Sequence, residues 1–319
     1  MGSDPFLHEL KDFDELIQVV SGEHRIAPQL IEKDYWIMHC LFGLTSQGFS
    51  FQLKGGTSLS KGYGIIDRFS EDIDIQIDPP AGMDVKCGKN HTKKSHIESR
   101  RKYFEWLAGE IKIPGIDSVE IDPAYEDPSG KCRNVGIQLK YPNTLDPLKG
   151  VKDGVLLEVG FDDVEPNDPV DISSWAHSKA ASQKGLLFAD NLAYGIKCYR
   201  PGYTFVEKLQ TISTKFRSQQ KAGEFQNNFL RHYYDIYCLL ENPDVQKFIG
   251  TAAYVAHKKK RFRKDDELEI KKNEAFLLSD PEVRAQYRVE YEKTADLYYK
   301  GIIPFESILK QIQQNIDNL

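Results

Sequence analysis

A chain of 319 residues can bury a sizeable core and is long enough for two lobes; at 40% hydrophobic and 28% charged it has the proportions of a globular protein. No apolar run approaches the roughly 18 residues of a spanning helix, and the beginning "MGSDPFLHEL" lacks a basic stretch followed by an apolar run, so a cytoplasmic protein without membrane association is expected. A net charge of −6 argues against a surface that grips nucleic acid everywhere.

Five scattered cysteines without a CxxC pair, and eight histidines without HExxH, suggest neither a disulfide framework nor a zinc site. Two basic stretches stand out. Lys86 to Lys102 carries seven Lys/Arg against the single acid Glu98, and His257 to Lys264 carries six with no acid. Each is either a solvated face or a local nucleic-acid contact.

In chain order, Leu7, Leu10, Phe13, Leu16, Ile17 and Val20 fall at helical spacing, as do Ile31, Tyr35, Met38 and Phe42, so two helices come first. "FSFQL" (Phe49 to Leu53) reads as a strand, the turn "KGGTSLSKG" follows, and "DIDIQI" (Asp72 to Ile77) alternates strictly enough for a second strand. "NVGIQLKY" (Asn134 to Tyr141) and "GVLLEVGF" (Gly154 to Phe161) predict an antiparallel pair across the turn-rich "PNTLDPLKGVKD". Residues 162–184 read as a polar, strand-poor connection. A helix with Thr204 as N-cap follows, with Phe205, Leu209, Ile212 and Phe216 on one face. The next helix turns Phe229, Tyr233, Ile236, Tyr237 and Leu240 to one side, and further helices are expected from Pro281 to Tyr299 and from Pro304 to Ile316. The expected class is α+β: a mixed sheet with helices over residues 1–165, then a mainly helical lobe over 166–319.

Residues two apart in a strand face the same side, which groups Ser70, Asp72 and Asp74 and turns Ile73, Ile75 and Ile77 to the core. Two carboxylates about 6.6 Å apart along a strand repel by about 2.5 kcal/mol at an effective dielectric near 20. A divalent cation between them offsets that cost, and Mg²⁺ prefers one or two carboxylates plus substrate phosphates. The alternative is the solvent side of an edge strand, where alternating acids are ordinary. Gly55 and Gly56 open a helical turn whose unpaired N–H groups suit a phosphate. Ser60 stands where the G-x-x-x-x-G-K-[ST] loop needs its second glycine, so a P-loop or kinase reading loses its main support.

The run Gly55-Gly56-Thr57-Ser58-Leu59, followed by Ser70-x-Asp72-x-Asp74, resembles the first motif of nucleotidyltransferases of the polymerase-beta-like superfamily. With "IEKDYW" (Ile31 to Trp36), "TFVEKL" (Thr204 to Leu209) and "RHYYDIYCLL" (Arg231 to Leu240), the chain resembles the AbiEii/AbiGii family of toxin nucleotidyltransferases over about residues 30 to 240. These are the toxin half of type IV toxin-antitoxin and phage-defence pairs. The 15 residues between Gly56 and Asp72 are long against the wider superfamily.

The resemblance implies a polymerase-beta-like sheet and a Mg-dependent transfer of a nucleoside monophosphate from a nucleoside triphosphate (NTP) to an acceptor. The implied acceptor is RNA, at the 3′ end of tRNA, and the implied protein partner is a cognate antitoxin. Asp72 and Asp74 are implied as catalytic metal ligands, Lys208 and Asp235 as catalytic groups from the helical lobe, and Gly55, Gly56, Thr57, Ser58 and Ser70 as the nucleotide-binding set.

A third carboxylate commonly completes such sites, and Glu158, an acid inside an apolar strand that needs a partner to be tolerated, is the candidate. Pairing with a lysine at a strand edge is its alternative. Lys208 otherwise reads as a solvated lysine beside Glu207. Asp235 positions Lys208, contacts the nucleotide, or pairs with Arg231 one turn earlier. Lys33 and Asp34 read best as internal ion pairing that holds the N-terminal helices to the sheet, while Tyr35 and Trp36 pack. Two rival functions remain: a small-molecule, antibiotic-type nucleotidyltransferase, and an inactive scaffold that binds nucleotide or a partner protein.

Overall fold

A computed structural model describes residues 4–146, 151–226 and 229–319; residues 147–150 of the predicted turn lie outside them. Two compact units result. One comprises Met1–Gly62 and Ser70–Tyr199, the other Tyr63–Phe69 and Arg200–Leu319.

The strands of the first unit are β1 (Phe51–Lys54), β2 (Asp72–Ile77), β3 (Ser118–Asp122), β4 (Asn134–Lys140), β5 (Val155–Gly160), β6 (Asn167–Ile172) and β7 (Ala193–Tyr199). They form one mixed sheet in the order β3-β4-β5-β2-β1-β7-β6. Ile73, Ile75 and Ile77 are fully buried, each contributing about 1.5–3 kcal/mol. Because a slip of one residue would turn them outward, they fix which face the carboxylates occupy. β2 is an interior strand, antiparallel to β1 and parallel to β5. An exposed edge strand is therefore not the explanation of Asp72 and Asp74.

β4 and β5 pair antiparallel, as their alternation predicts. The stretch that reads as strand-poor contains β6, and β7 follows it. β6 lies at one border of the sheet, where Pro169 costs no ladder hydrogen bond and no apolar alternation is required.

The helices of this unit are α1 (Phe13–His24), α2 (Pro28–Ser46), the single turn α3 (Gly55–Thr57), α4 (Lys94–Glu110) and α5 (Trp175–Ala181). α2 packs against α1, α5, β5 and β7, and it is buried nearly all round, Glu32, Lys33 and Asp34 included. Trp36 stacks on Tyr141 at 4.8 Å, and Tyr35 sits edge-on to Phe13 at 4.9 Å.

The second unit holds α6 (Pro201–Ala222), α7 (Arg231–Glu241), α8 (Pro243–Phe248), α9 (Ala252–Arg261), α10 (Glu274–Leu277), α11 (Pro281–Glu292) and α12 (Phe305–Asn315). α6 starts at Pro201, whose fixed φ suits the first helical position, rather than at Thr204, which is buried inside the first turn. The long spacer before Asp72 is accounted for here. Its residues 63–69 belong to this unit, with the Phe69 N–H donating to the Leu297 carbonyl (2.9 Å), Tyr299 N–H to Asp67 (3.0 Å) and Asp67 N–H to the Tyr234 hydroxyl (3.1 Å). Among the described residues no helix is long and apolar enough to cross a membrane.

One cation of the first basic stretch has an internal task. Arg100 is fully buried, and its guanidinium donates to the carbonyls of Lys86, His91, Lys131 and Cys132 at 2.6–3.1 Å. Arg133 donates in the same manner to Cys87, Gly88 and Lys89. Replacing Arg100→Met leaves these carbonyls short of a charged donor and should lower the unfolding free energy by about 3 kcal/mol in urea titrations, with faster tryptic cleavage between Lys86 and Lys94.

Candidate active site

In the parallel register of β2 and β5, Asp74 lies opposite Glu158 and Asp72 opposite Leu156. Asp74 and Glu158 are thus lateral neighbours about 4.8 Å apart across the ladder, on the face that Asp72 shares. Burial pushes the Glu158 carboxyl up, and Asp74 and Asp72 push it further, to about 7. Burial also raises Asp72, against the opposing pull of Lys152. β2 begins at Asp72, so Ser70 stands half-buried on the approach to the strand rather than within it.

The glycine turn is shaped around Asp74. Gly55 has φ +76°, and a Cβ there would fall 2.0 Å from Asp74 Oδ2, so this position demands glycine on two counts. The buried Thr57 hydroxyl donates to the Asp72 main-chain carbonyl at 2.6 Å and fastens the turn to β2. Ser58 is buried beside it. The helical turn that the glycines open, α3, continues as a π-helical turn, Ser58–Gly62, a form frequent at functional sites.

Positive charge does meet these acids, as lysine. Lys152 Nζ is 2.8 Å from Asp72 Oδ1. Lys54, in register with Asp74, pairs with Asp162 at 3.2 Å. Lys33 pairs with Glu71 at 3.4 Å and Asp34 with Lys61 at 2.8 Å, which are the internal ion pairs expected of "EKDYW". Burial lowers the Lys33 ammonium, and Glu71 opposes that shift. Beside Asp74 and Glu158 opens a cavity of about 300 Å³, whose lining includes Lys54, Lys89, Arg133 and Phe161.

Three carboxylates on one face are a hard-oxygen donor set that suits Mg²⁺ or Mn²⁺. Among the described residues no three His, Cys, Asp or Glu side chains close into a ligand cage. The arrangement therefore fits a metal that brings phosphate oxygens with it, not one held by protein alone.

Lys208 and Asp235 lie in the second unit and meet there. Asp235 is wholly buried, with Lys208 Nζ at 2.7 Å from Oδ2 and Arg68 donating through Nε and Nη2 at 2.6 and 2.8 Å. Burial alone would raise the Asp235 carboxyl; Arg68 and Lys208 together hold it well below the usual range. Burial lowers the Lys208 ammonium, with Asp235 opposing and Arg68 reinforcing. Lys208 is thus a buried, paired cation rather than a solvated one. The bidentate partner of Asp235 is Arg68, which no local pattern marks.

The second basic stretch is only partly surface. Lys258 is buried with its ammonium on the Leu319 carbonyl, and Arg261 pairs with Glu207 at 3.2 Å.

A family model described as nucleotidyl transferase AbiEii toxin, Type IV TA system, matches residues 39–311. Comparison with curated proteins gives no match.

Asp235→Ala leaves Arg68 and Lys208 buried without their counter-ion and should cost about 3–5 kcal/mol of stability, while Arg68→Met/Lys208→Met/Asp235→Leu should recover most of it in chemical denaturation. A second test uses pH. The folded Glu158 keeps its proton up to about 7 against 4.5 for the ordinary carboxyl, so the folded state binds more protons between those values. Stability of the metal-free protein should fall as pH rises through that window, and Glu158→Gln should flatten the profile.

Proposed function

Because the chain belongs to the AbiEii family of nucleotidyltransferase toxins of type IV toxin-antitoxin systems, we propose that it transfers a nucleoside monophosphate from an NTP to the 3′ end of tRNA, using a divalent metal at Asp72, Asp74 and Glu158. The observation that carries this reading is that Asp72, Asp74 and Glu158 share one face of β2 and β5, with Asp74 beside Glu158, next to a turn whose first glycine makes room for Asp74. Mg²⁺ bound there would polarise the α-phosphate and neutralise developing charge.

The chain's own residues do the rest. Asp72 and Asp74, fixed by the buried isoleucines between and beyond them, present their carboxylates on one face of the sheet. Gly55 and Gly56 bring main-chain N–H groups toward the triphosphate, Thr57 and Ser58 pack beneath them, and Ser70 adds a hydroxyl. The acceptor hydroxyl bonds to the α-phosphorus as the bond to the bridging oxygen breaks, and pyrophosphate departs with the electron pair. The hydroxyl proton passes to a carboxylate of the site. Asp235, with both oxygens engaged, serves to position Lys208.

The cavity carries Lys54, Lys89 and Arg133 against Asp74, Glu158 and Asp162, so the support for an RNA acceptor is the exposed Lys89 at its border. Exposed Lys93 and Lys94 extend that border along the loop and the start of α4. NTP and tRNA are cytoplasmic substrates, which places the reaction in the cytoplasm. The family implies a cognate antitoxin protein as partner.

Incubation with total RNA, Mg²⁺ and each α-labelled NTP in turn should label a band of tRNA size, lost in Asp72→Ala/Asp74→Ala. Acceptor binding should weaken steeply with salt. Label on no RNA with any triphosphate would overturn the acceptor and redirect the search to small molecules.

A further inference from the structure

The cation that meets the carboxylates, Lys152, is held in an unusual way for a partly exposed lysine. Its N–H donates to Glu71 Oε2 at 3.0 Å, and its carbonyl accepts from Lys33 Nζ at 2.5 Å. The main chain at this residue is therefore clamped on both sides by a buried ion pair that joins α2 to the residue preceding Asp72. The side chain is different. It is 31% exposed, with its ammonium 2.8 Å from Asp72 Oδ1 and 4.8 Å from the centre of the Tyr125 ring. A fixed main chain and a flexible four-carbon stem give the Lys152 ammonium reach without backbone movement.

Asp72 Oδ1 is also an oxygen that a metal between Asp72 and Asp74 would take. An ammonium held against it repels a divalent cation there, strongly in a partly buried setting. Nucleotide changes the balance. Phosphate oxygens bring further ligands for the metal and a new anionic partner for the lysine.

We propose that Lys152 is a resident counter-cation of the site: it neutralises Asp72 while no metal is bound, and it yields that oxygen and turns to the phosphates when metal and nucleotide arrive together. This rests on the metal reading given above. It goes beyond that reading by making metal and nucleotide binding mutually dependent through one named side chain. Metal alone must displace the lysine; metal with triphosphate gives the lysine somewhere to go. By linkage, nucleotide must tighten metal binding by the factor by which metal tightens nucleotide binding.

The test is Mn²⁺ binding to the nucleotide-free full chain, by isothermal titration calorimetry and by the electron paramagnetic resonance of free Mn²⁺. Wild type is compared with Lys152→Met, Lys152→Arg and Lys152→Met/Asp72→Asn. Lys152→Met should bind Mn²⁺ at least about tenfold more tightly, or about 1.4 kcal/mol, and should melt below wild type in chelator yet recover with Mn²⁺. Lys152→Arg should keep the weak metal affinity of wild type, and the double variant should lose the gain. A non-hydrolysable triphosphate should tighten Mn²⁺ binding more in wild type than in Lys152→Met. Equal Mn²⁺ affinity in wild type and Lys152→Met overturns the proposal and leaves the metal site standing. No Mn²⁺ binding to either, with or without the triphosphate, overturns the metal reading and the proposal with it.

Discussion

Mutual repulsion among Asp72, Asp74 and Glu158 is the constraint around which the first unit is arranged. Neighbouring strands in parallel register force two of these carboxylates side by side, and burial denies them the screening of bulk water. Each nearby feature answers that problem. The buried isoleucines stop β2 from slipping to relieve the strain. Gly55 leaves space for Asp74 where any other residue would intrude. Lys152 covers Asp72, and Glu71 and Lys33 hold Lys152, so that charges alternate in sign from α2 to the carboxylates. Such buried pairs contribute little net stability compared with apolar residues of the same volume, though losing one partner is costly. Their value here is positional: they determine where Asp72 and the tip of Lys152 stand.

The second unit contains the reverse imbalance. Two cations, Arg68 and Lys208, share one carboxylate, Asp235, in surroundings that exclude water. Arg68 takes both oxygens in a fork that only a guanidinium supplies, which leaves Lys208 the weaker hold. Burial is what lowers the Lys208 ammonium, with Asp235 opposing and Arg68 reinforcing the shift. Asp235 is thus best understood as the group that decides where Lys208 sits. The sequence leaves Asp235 three roles, positioning Lys208, contacting the nucleotide or pairing with Arg231; in the structure it pairs with Lys208 and Arg68.

Much of this was legible before any coordinates, and the exceptions share a cause. β2 could be read because strict alternation is a local property, and Glu158 because an acid within an apolar strand needs explanation wherever it occurs. That Asp74 and Glu158 are neighbours could not be read, since parallel register is set by the crossovers between strands and not by either strand. Arg68 and Asp235 are 167 residues apart, and neither segment carries a pattern that names the other. β6 escaped because a border strand needs no buried alternation. Charge counting over-read the basic stretches: it registers Arg100 and Lys258 as cations for a partner, although both spend their donors on main-chain carbonyls inside the fold.

The spacer between the glycine turn and Asp72 shows how the two charge clusters are joined. The chain leaves the first unit after Gly62, contributes Arg68 to the second, and returns at Ser70. Arg68 is therefore only 4 residues from Asp72. Residues 63–69 are held by buried Ile66 and Phe69, by the Arg68 fork on Asp235 and by the main-chain bonds to residues 297–299. If the fork is broken, the segment loses its charged anchor, and the stretch released leads straight into Glu71 and Asp72. Glu71 in turn carries Lys152 through its main-chain N–H. Arg68 thus lies on the stretch of chain that leads directly into the carboxylate strand, and its fork on Asp235 fastens that stretch within the second unit.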